Sequence, residues 1–402
     1  MAQQINPPRG MRDFLPVEKS TRDYLLGKIL SSYRSFGFQE IETPALENIE
    51  RLTSSDGGDN ESLAFRVLKR GEELEQALGK SEDQLSDLGL RYDLTVPLTR
   101  FYATNQSKLP KVLKAIQTGP VWRAERPQKG RYRQFIQCDI DIIGDDSSLA
   151  EIEILNASLH ALASLGLSTV TIRVNHRELL SKSIEDLGVS LKDQQRAMIT
   201  IDKLDKIGIE GVCLELQERF DDSVASKAKT WLSGMASDQS PPNQLAEVFS
   251  SLALEHPGKL RFDPTLVRGM GYYTGIIFEI EHPESGSSIG GGGRYDGMVG
   301  KWLGEDVPAV GISLGFERVA DLVEVPALET KSLVLVFDQS DLQHALTTQA
   351  QAIAAGYLVR LEPKPKKLNT LLDSLKLQGF SSFATLDKPT EGFKGLQIKP
   401  IA

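Results

Sequence analysis

The sequence predicts an α+β fold with a helical insertion and a small α/β unit at the C-terminal end, and three patterns carry that expectation. First, IQTGPVWRAE (116–125) and RYRQFIQCDIDII (131–143) read as two arms of a β-hairpin around the polar loop RPQKG. Second, the stretch from about 178 to 255 is helical in pattern and lies between segments with strand periodicity, as an insertion would. Third, residues 331–402 alternate short apolar strands with helices, the pattern of a small mixed sheet. A chain of 402 residues, 40% hydrophobic and 25% charged, has globular composition and room for two or three domains at roughly 150 residues each. The expected division is 1–325, containing the insertion, and 331–402.

Taken in order, VEKSTRDYLLGKILSSYRSFGF spaces Leu25, Ile29, Tyr33 and Phe36 along one helical face, and Gly37 is a natural stop. FQEIETPALE follows as a strand that Pro44 demotes to an edge or an interface, since proline cannot donate to a ladder. LRYDLTVPLTRFY begins as a strand and is expected to become helical after Pro97. In the second hairpin arm, period-two counting sorts the residues onto two faces. Arg131, Arg133, Phe135, Gln137, Asp139 and Asp141 share one; Tyr132, Gln134, Ile136, Cys138, Ile140 and Ile142 share the other. One face is chemical and the other is core.

A helix over LAEIEILNASLHALASLGL and a strand TVTIRVNH precede the insertion, which contains the loop SGMASDQSPPNQ. Strand periodicity returns through YYTGIIFEIE, where adjacent Tyr272 and Tyr273 would point to opposite faces, so that at most one packs inward. SSIGGGGRYDG lacks the ending of a phosphate loop and reads as a flexible turn, a strand bend or a close backbone approach to a flat ligand. PAVGISLGFERVADL is a strand leading into a helix, with Arg318 at the junction. The last unit reads as strand SLVLVF, a helix to Ala355 stopped by Gly356, strand LVRLE, helix KKLNTLLDSLKLQ, and strands SSFATL and GLQIKP.

The formal net charge of −9 argues against coating nucleic acid through bulk charge, yet it leaves room for a local basic site. Arg123, Arg126, Lys129, Arg131 and Arg133 crowd one such stretch with only Glu125 opposed, and Asp139 and Asp141 follow at once. Guanidinium forks suit polyphosphate or carboxylate, while Gln137 and Asp141 on the same face suit a cationic group. Together they describe a site that joins an amino compound to a nucleotide. No apolar run approaches the roughly 18 residues that span a membrane, and MAQQINPPRGMRDFLP lacks a signal-peptide pattern, so a cytoplasmic location is expected. Cys138 and Cys213 support neither a disulfide framework nor a zinc site, and none of the five histidines has metal-ligand spacing or a nucleophilic partner. No metal site follows from any motif.

Assembled, these motifs resemble the histidyl-tRNA synthetases of the class II aminoacyl-tRNA synthetase group. RGMRDFLP, ETPALE, LRYDLTVP, WRAERPQKGRYRQF, QCDIDIIG, LVRGMGYYTG, GGGGRYDGMVG and VGISLGFERV occur in that family's order over residues 8 to about 325. The resemblance implies an antiparallel sheet flanked by helices, a homodimer with ETPALE as its proline-bearing motif, and a final domain similar to an anticodon-binding domain. It implies a ligase that takes histidine, ATP with Mg2+, and histidine tRNA. By position, Arg123 would touch the α-phosphate and the histidine carboxylate, Arg268 would stabilise the α-phosphate, and Arg318 would hold the ATP tail. Asp93, Thr95 and Gln137 would bind the α-amino group, and Asp141, Tyr273 and Tyr295 would recognise the imidazole. The chain departs from the family pattern at Gly271, at Ile136 and in a short last domain without a closing helix. A second reading is the non-catalytic paralogue that serves as regulatory subunit of ATP phosphoribosyltransferase; such paralogues tend to lose the arginines retained here.

Overall fold

The computed structural model describes residues 5–53, 62–81, 84–127, 130–234, 240–268, 271–325, 331–386 and 392–401; Lys129 and part of the loop SGMASDQSPPNQ lie outside them. Helix α1 (Pro16–Ser35) ends before Gly37, whose φ of 81° favours glycine. Its Ile29 and Tyr33 are buried, and Phe36 meets His160 edge-on at 5.4 Å.

The next segment departs from the single strand that the sequence suggested. β1 (Gln39–Glu40) and β2 (Leu46–Asn48) are separate strands in separate sheets. Between them Pro44 has no N–H to offer, and the buried Arg91 instead takes the carbonyls of Thr43 and Pro44 at 2.7 and 3.4 Å. After α2 (Ile49–Thr53) come β3 (Arg66–Leu68), α3 (Glu72–Ala77) and β4 (Ser86–Leu90), and β2, β4 and β3 form a small antiparallel sheet. Helix α4 (Thr95–Asn105) starts two residues before Pro97, not after it. The missing N–H of a proline costs nothing in a first turn, and Asp93 accepts the N–H of Val96 at 3.1 Å.

β5 (Leu113–Trp122) and β6 (Gln134–Ile143) are the expected hairpin arms, antiparallel from Leu113↔Ile143 to Trp122↔Gln134. The second arm is shorter than the sequence suggested. Arg133 stays outside the strand, donating from Nε to the Glu125 carbonyl at 2.9 Å and from its amide to Gly10 at 2.8 Å. α5 (Leu149–Ser164) and β7 (Thr171–His176) lead to the insertion, which is helical as expected: α6 (Arg177–Asp186), α7 (Gln194–Ile201), α8 (Leu204–Arg219), α9 (Asp222–Ser233) and α10 (Asn243–Glu255). These helices bury a core of their own around Leu180, Ile184, Ala197, Leu216 and Ala228. His176 has a local structural task, accepting the Glu178 N–H at 3.2 Å to cap α6.

β8 (Leu260–Phe262), β9 (Ile276–Glu281), β10 (Gly290–Arg294), α11 (Asp296–Leu303), β11 (Ala309–Gly315) and α12 (Phe316–Leu322) complete the larger unit. Its eight-stranded sheet runs β1-β5-β6-β11-β10-β9-β7-β8, antiparallel throughout except at its edges, where β1 joins β5 and β8 joins β7 in parallel. Two expectations are corrected here. The strand starts at Ile276, so Tyr272 and Tyr273 sit in a turn where alternation does not apply, and both are buried with ring centroids 4.8 Å apart. The glycine run is a regular interior strand, β10, whose bare backbone lets its neighbours close in. A Cβ on Gly292 would lie 1.9 Å from the Gly311 carbonyl oxygen, and one on Gly291 would lie 2.7 Å from the Arg268 guanidinium.

Internal packing groups Met1–Arg12 with Leu26–Val323, and Asp13–Leu25 with Glu324–Ala402. The smaller unit contains β12 (Ser332–Phe337), α13 (Leu342–Ala354), β13 (Leu358–Pro363), α14 (Leu368–Lys376), β14 (Ser382–Leu386) and β15 (Lys399–Pro400). Its sheet order is β13-β12-β14-β15, parallel except for the last pair. That is a mixed sheet. Among the described residues, no helix is long and apolar enough to cross a membrane.

The glycines of β10 and α1 give opposite expectations. Gly292→Ala drives a methyl group into backbone and should lower the thermal unfolding midpoint, at a cost of about 1–3 kcal/mol or more. Gly27→Ala, on an exposed helical position with nothing within 4 Å, should raise it through a gain of about 0.5–1 kcal/mol. Equal midpoints for the two variants would contradict this packing.

Candidate active site

Alternation along β6 divides the molecule into core and cleft. Cys138, Ile140 and Ile142 are fully buried on one side, while Phe135, Gln137, Asp139 and Asp141 line a cleft of about 880 Å³ on the other. All nine residues singled out by the sequence motifs (Asp93, Thr95, Arg123, Gln137, Asp141, Arg268, Tyr273, Tyr295 and Arg318) line that one cleft. They come from the β4–α4 connection and the start of α4, the hairpin, the segment before β9, the end of β10 and the first turn of α12.

The floor of the cleft is acidic and buried. Tyr295 donates its hydroxyl to Asp141 Oδ1 at 2.6 Å, while Asp141 Oδ2 has no partner. Burial pushes the Asp141 carboxyl up to about 7, with Tyr295 pulling against it and Asp93 adding to it. Opposite Asp141 in the sheet stands Gly311, where a Cβ would come within 1.9 Å of Asp141 Oδ1. Only glycine leaves room for that carboxylate.

Asp93 has the same character. One of its oxygens caps α4 through the Val96 N–H, and the other, Oδ2, is buried without a partner. Burial raises it to about 6, offset in part by the Val96 N–H and Arg123. Asp139, between Gln137 and Asp141, is held well above the ordinary carboxylate range by burial and then by Asp141. The Gln137 amide donates to Ser313 Oγ at 2.7 Å, leaving its Oε1 without a partner.

The basic wall is more selective than the arginine-rich stretch suggested. Arg123 donates Nε to the Tyr92 carbonyl at 3.0 Å and places its guanidinium 5.1 Å from the Phe135 ring centre. Arg131 lines the cleft beside Glu125, 3.4 Å away. Arg126 is exposed and is not among the lining residues, and Arg133 is engaged with the backbone of Glu125 and Gly10. Arg318, on the first turn of α12, donates to the carbonyls of Ser288 and Gly130, and burial lowers its pKa.

Arg268 lies over β10 and pairs with Glu279 at 2.7 Å, while its Nε is buried without a partner. Burial opposes its charge, but Tyr273 and Glu279 outweigh that and raise its pKa. Tyr272 lies within hydrogen-bonding reach of Thr95, so Thr95 ties the turn to α4. Burial raises the Tyr273 hydroxyl, with Arg268 pulling the other way.

The motif reading assigned no role to Asp139, Ser313 or Glu279. Asp139 was already visible on the chemical face of β6. Glu279 and Ser313 follow from alternation, since each flanks a buried apolar residue: Phe278 in β9, and Ile312 and Leu314 in β11. The arrangement offers unsatisfied buried acceptors and arginines within one cleft. It can hold a cationic amino compound beside a polyphosphate.

Comparison with known proteins agrees with this chemistry. The family profile described as Histidyl-tRNA synthetase matches residues 10–319. A curated histidine--tRNA ligase of Leifsonia xyli subsp. xyli is 49% identical over 430 aligned residues, covering 100% of this chain and 99% of that protein. One from Christiangramia forsetii is 35% identical, covering 92% of this chain and 89% of its own. Among solved structures, a histidyl-tRNA synthetase from Nostoc sp. PCC 7120 superposes with a TM-score of 0.73 at 24% identity, covering 100% of this chain and 97% of that one. An ATP phosphoribosyltransferase regulatory subunit/histidyl-tRNA synthetase from Bacillus halodurans superposes at 0.74 with 21% identity, covering 93% and 97%, and at that identity the likeness is one of fold. The chain belongs to the histidyl-tRNA synthetase family.

Proposed function

We propose that the cleft activates histidine with ATP to histidyl-adenylate and pyrophosphate, and then transfers the acyl group to a hydroxyl of the 3′-terminal adenosine of histidine tRNA, releasing AMP. The observation that carries this reading is the Asp141–Tyr295 pair, with its unpartnered Oδ2, in the same cleft as Arg123, Arg268 and Arg318. Asp141 and Tyr295, with Tyr273, face the imidazole, whose ring nitrogens one acid and two hydroxyls can read. Such a site rejects apolar isosteres by roughly 10⁴-fold without a separate editing step, because they would leave its buried groups unpaired. Asp93, Thr95 and Gln137 take the α-amino group.

In the first step a histidine carboxylate oxygen attacks the α-phosphorus, the new O–P bond forms, and the bond to the β-phosphate oxygen breaks. Arg123 neutralises both the incoming carboxylate and the α-phosphate. Arg268 meets the charge that grows on the α-phosphate oxygens, which a preorganised guanidinium does at little reorganisation cost. Glu279 and the bare backbone of Gly291 hold it ready. Arg318, fixed by the Ser288 and Gly130 carbonyls, takes the leaving end of the triphosphate. Mg2+ would enter on the triphosphate and neutralise it, since no group of three or more His, Cys, Asp and Glu among the described residues is arranged to hold a metal ion.

The smaller unit is read as a shortened anticodon-binding-like domain. Its mixed α/β build supports this, as does its charge, nine Lys and Arg against six Asp and Glu over 331–402. A homodimer built on the small sheet is supported by the exposed Leu46 and Leu68, and a cytoplasmic setting by two buried cysteines far apart in sequence. The regulatory-subunit reading is disfavoured by the three arginines gathered in the cleft.

Histidine-dependent exchange between ATP and pyrophosphate, followed by charging of histidine tRNA, tests the reading; histidine binding without exchange would sink it. Arg268→Ala removes charge-assisted contacts and is expected to slow adenylate formation by about 10- to 150-fold, read as the exchange rate. An unchanged rate would remove Arg268 from the chemistry.

The pH profile carries a further signature. Asp141 and Asp93 have folded pKa values near 7 and 6, above the ordinary carboxylate value, so their charged forms are lost as pH falls through those values. kcat/KM for histidine is expected to decline below about pH 7 while KM for ATP holds, and Asp141→Asn should abolish the step near 7. A wild-type profile that stays flat from pH 8 to pH 5 would contradict the assignment of these acids.

A further inference from the structure

Asp139 has no place in the scheme above, yet it is 3% exposed in the middle of β6 with its Oδ1 unpartnered. Burying a carboxylate with an idle oxygen is costly, and a purely structural acid would have both oxygens satisfied. Among the described residues, the neighbouring guanidiniums make their side-chain hydrogen bonds and ion pairs to groups other than Asp139. Arg268 is held by Glu279 at 2.7 Å, Arg123 by the Tyr92 carbonyl at 3.0 Å, and Arg91 by Thr43 and Pro120.

The surroundings show how the idle oxygen is kept. Across the sheet from Asp139 stands Ser313 of β11. Ser313 Oγ accepts the Gln137 amide at 2.7 Å, and its hydroxyl lies within hydrogen-bonding reach of Asp139. One small residue therefore fixes the Gln137 amide nitrogen and leaves Gln137 Oε1 as a second unpartnered acceptor. Two idle acceptors, two residues apart on one strand face, both line the cleft. An ammonium group, with three donors and no acceptor, matches such a pair; an imidazole, which offers fewer N–H groups on a flat ring, does not.

We propose that Asp139 is a substrate-binding residue that completes, with Gln137 Oε1, a subsite for the α-ammonium of the amino acid, and that Ser313 is the positioning residue holding both acceptors in place. The inference rests on reading the cleft as the histidine pocket. It assigns the two acids of QCDIDIIG to opposite ends of the substrate: Asp139 to the ammonium, Asp141 to the ring.

The test uses the full-length protein with the isosteric variant Asp139→Asn and two competitors of histidine in the pyrophosphate exchange assay. Histamine keeps the ammonium and ring but lacks the carboxylate; 3-(imidazol-4-yl)propionate keeps the carboxylate and ring but lacks the ammonium. Asp139→Asn should raise the KM for histidine and the Ki for histamine by about 10- to 150-fold, the loss expected for one or more charge-assisted contacts. KM for ATP and Ki for the propionate should stay unchanged. Equal weakening of both competitors would overturn the assignment to the ammonium, and unchanged histidine KM would overturn the binding role altogether. Ser313→Ala, which removes only a hydroxyl, should shift the same two constants in the same direction by a smaller factor, and it keeps the test open if the Asn variant fails to fold. No shift in Ser313→Ala would overturn the positioning role. Absence of histidine-dependent exchange in the wild-type protein would instead reject the histidine reading of the cleft, so the two failures are distinguishable.

Discussion

A carboxylate buried with an idle oxygen is the constraint around which this molecule is organised. Asp93, Asp139 and Asp141 each meet that description, and each is placed by a backbone feature that the fold must supply. Asp93 is fixed by the first turn of α4, Asp139 by its pairing opposite Ser313, and Asp141 by a glycine gap at position 311 that no larger residue would leave. Gathering unsatisfied acceptors in one place destabilises the unliganded protein. The surrounding sheet, with Cys138, Ile140 and Ile142 fully buried behind the same strand, provides the apolar burial that tolerates it.

The basic wall follows a different logic. Three arginines that line the cleft are each tied down through part of the guanidinium: Arg123 by the Tyr92 carbonyl, Arg268 by Glu279, Arg318 by the Ser288 and Gly130 carbonyls. Preorganisation of this kind is what lets fixed charges act on a transition state without prior rearrangement. Gly291 belongs to the same device, since a methyl group there would collide with the Arg268 guanidinium.

Much of this was legible in the sequence where local rules decide the outcome. The alternation of QCDIDIIG assigned both faces of β6, because a strand turns each side chain by half a turn whatever surrounds it. The smaller unit was legible because its short apolar runs and helix-spaced segments alternate along the chain. Where distant chain segments decide, local rules failed. GGGG looked like a turn, and only the proximity of Gly311 and Arg268 shows why β10 must be bare. Tyr272 and Tyr273 looked like strand neighbours, yet they sit in a turn and both pack inward. Arg126 and Arg133 looked like further phosphate ligands, but one is exposed and is not among the residues lining the cleft, and the other stitches the hairpin loop to Gly10. Family resemblance reached Asp93, Thr95, Tyr273 and Tyr295, which no periodicity would have chosen.

The most direct measurement is a crystal structure of this protein with histidine bound. The idle oxygens Asp93 Oδ2, Asp141 Oδ2, Asp139 Oδ1 and Gln137 Oε1 should each accept a hydrogen bond from the amino acid, with the ring toward Asp141 and Tyr295 and the ammonium toward the other three. Histidine bound elsewhere, or bound in the cleft with these oxygens still unpartnered, would contradict the claim that the buried acids are built for it.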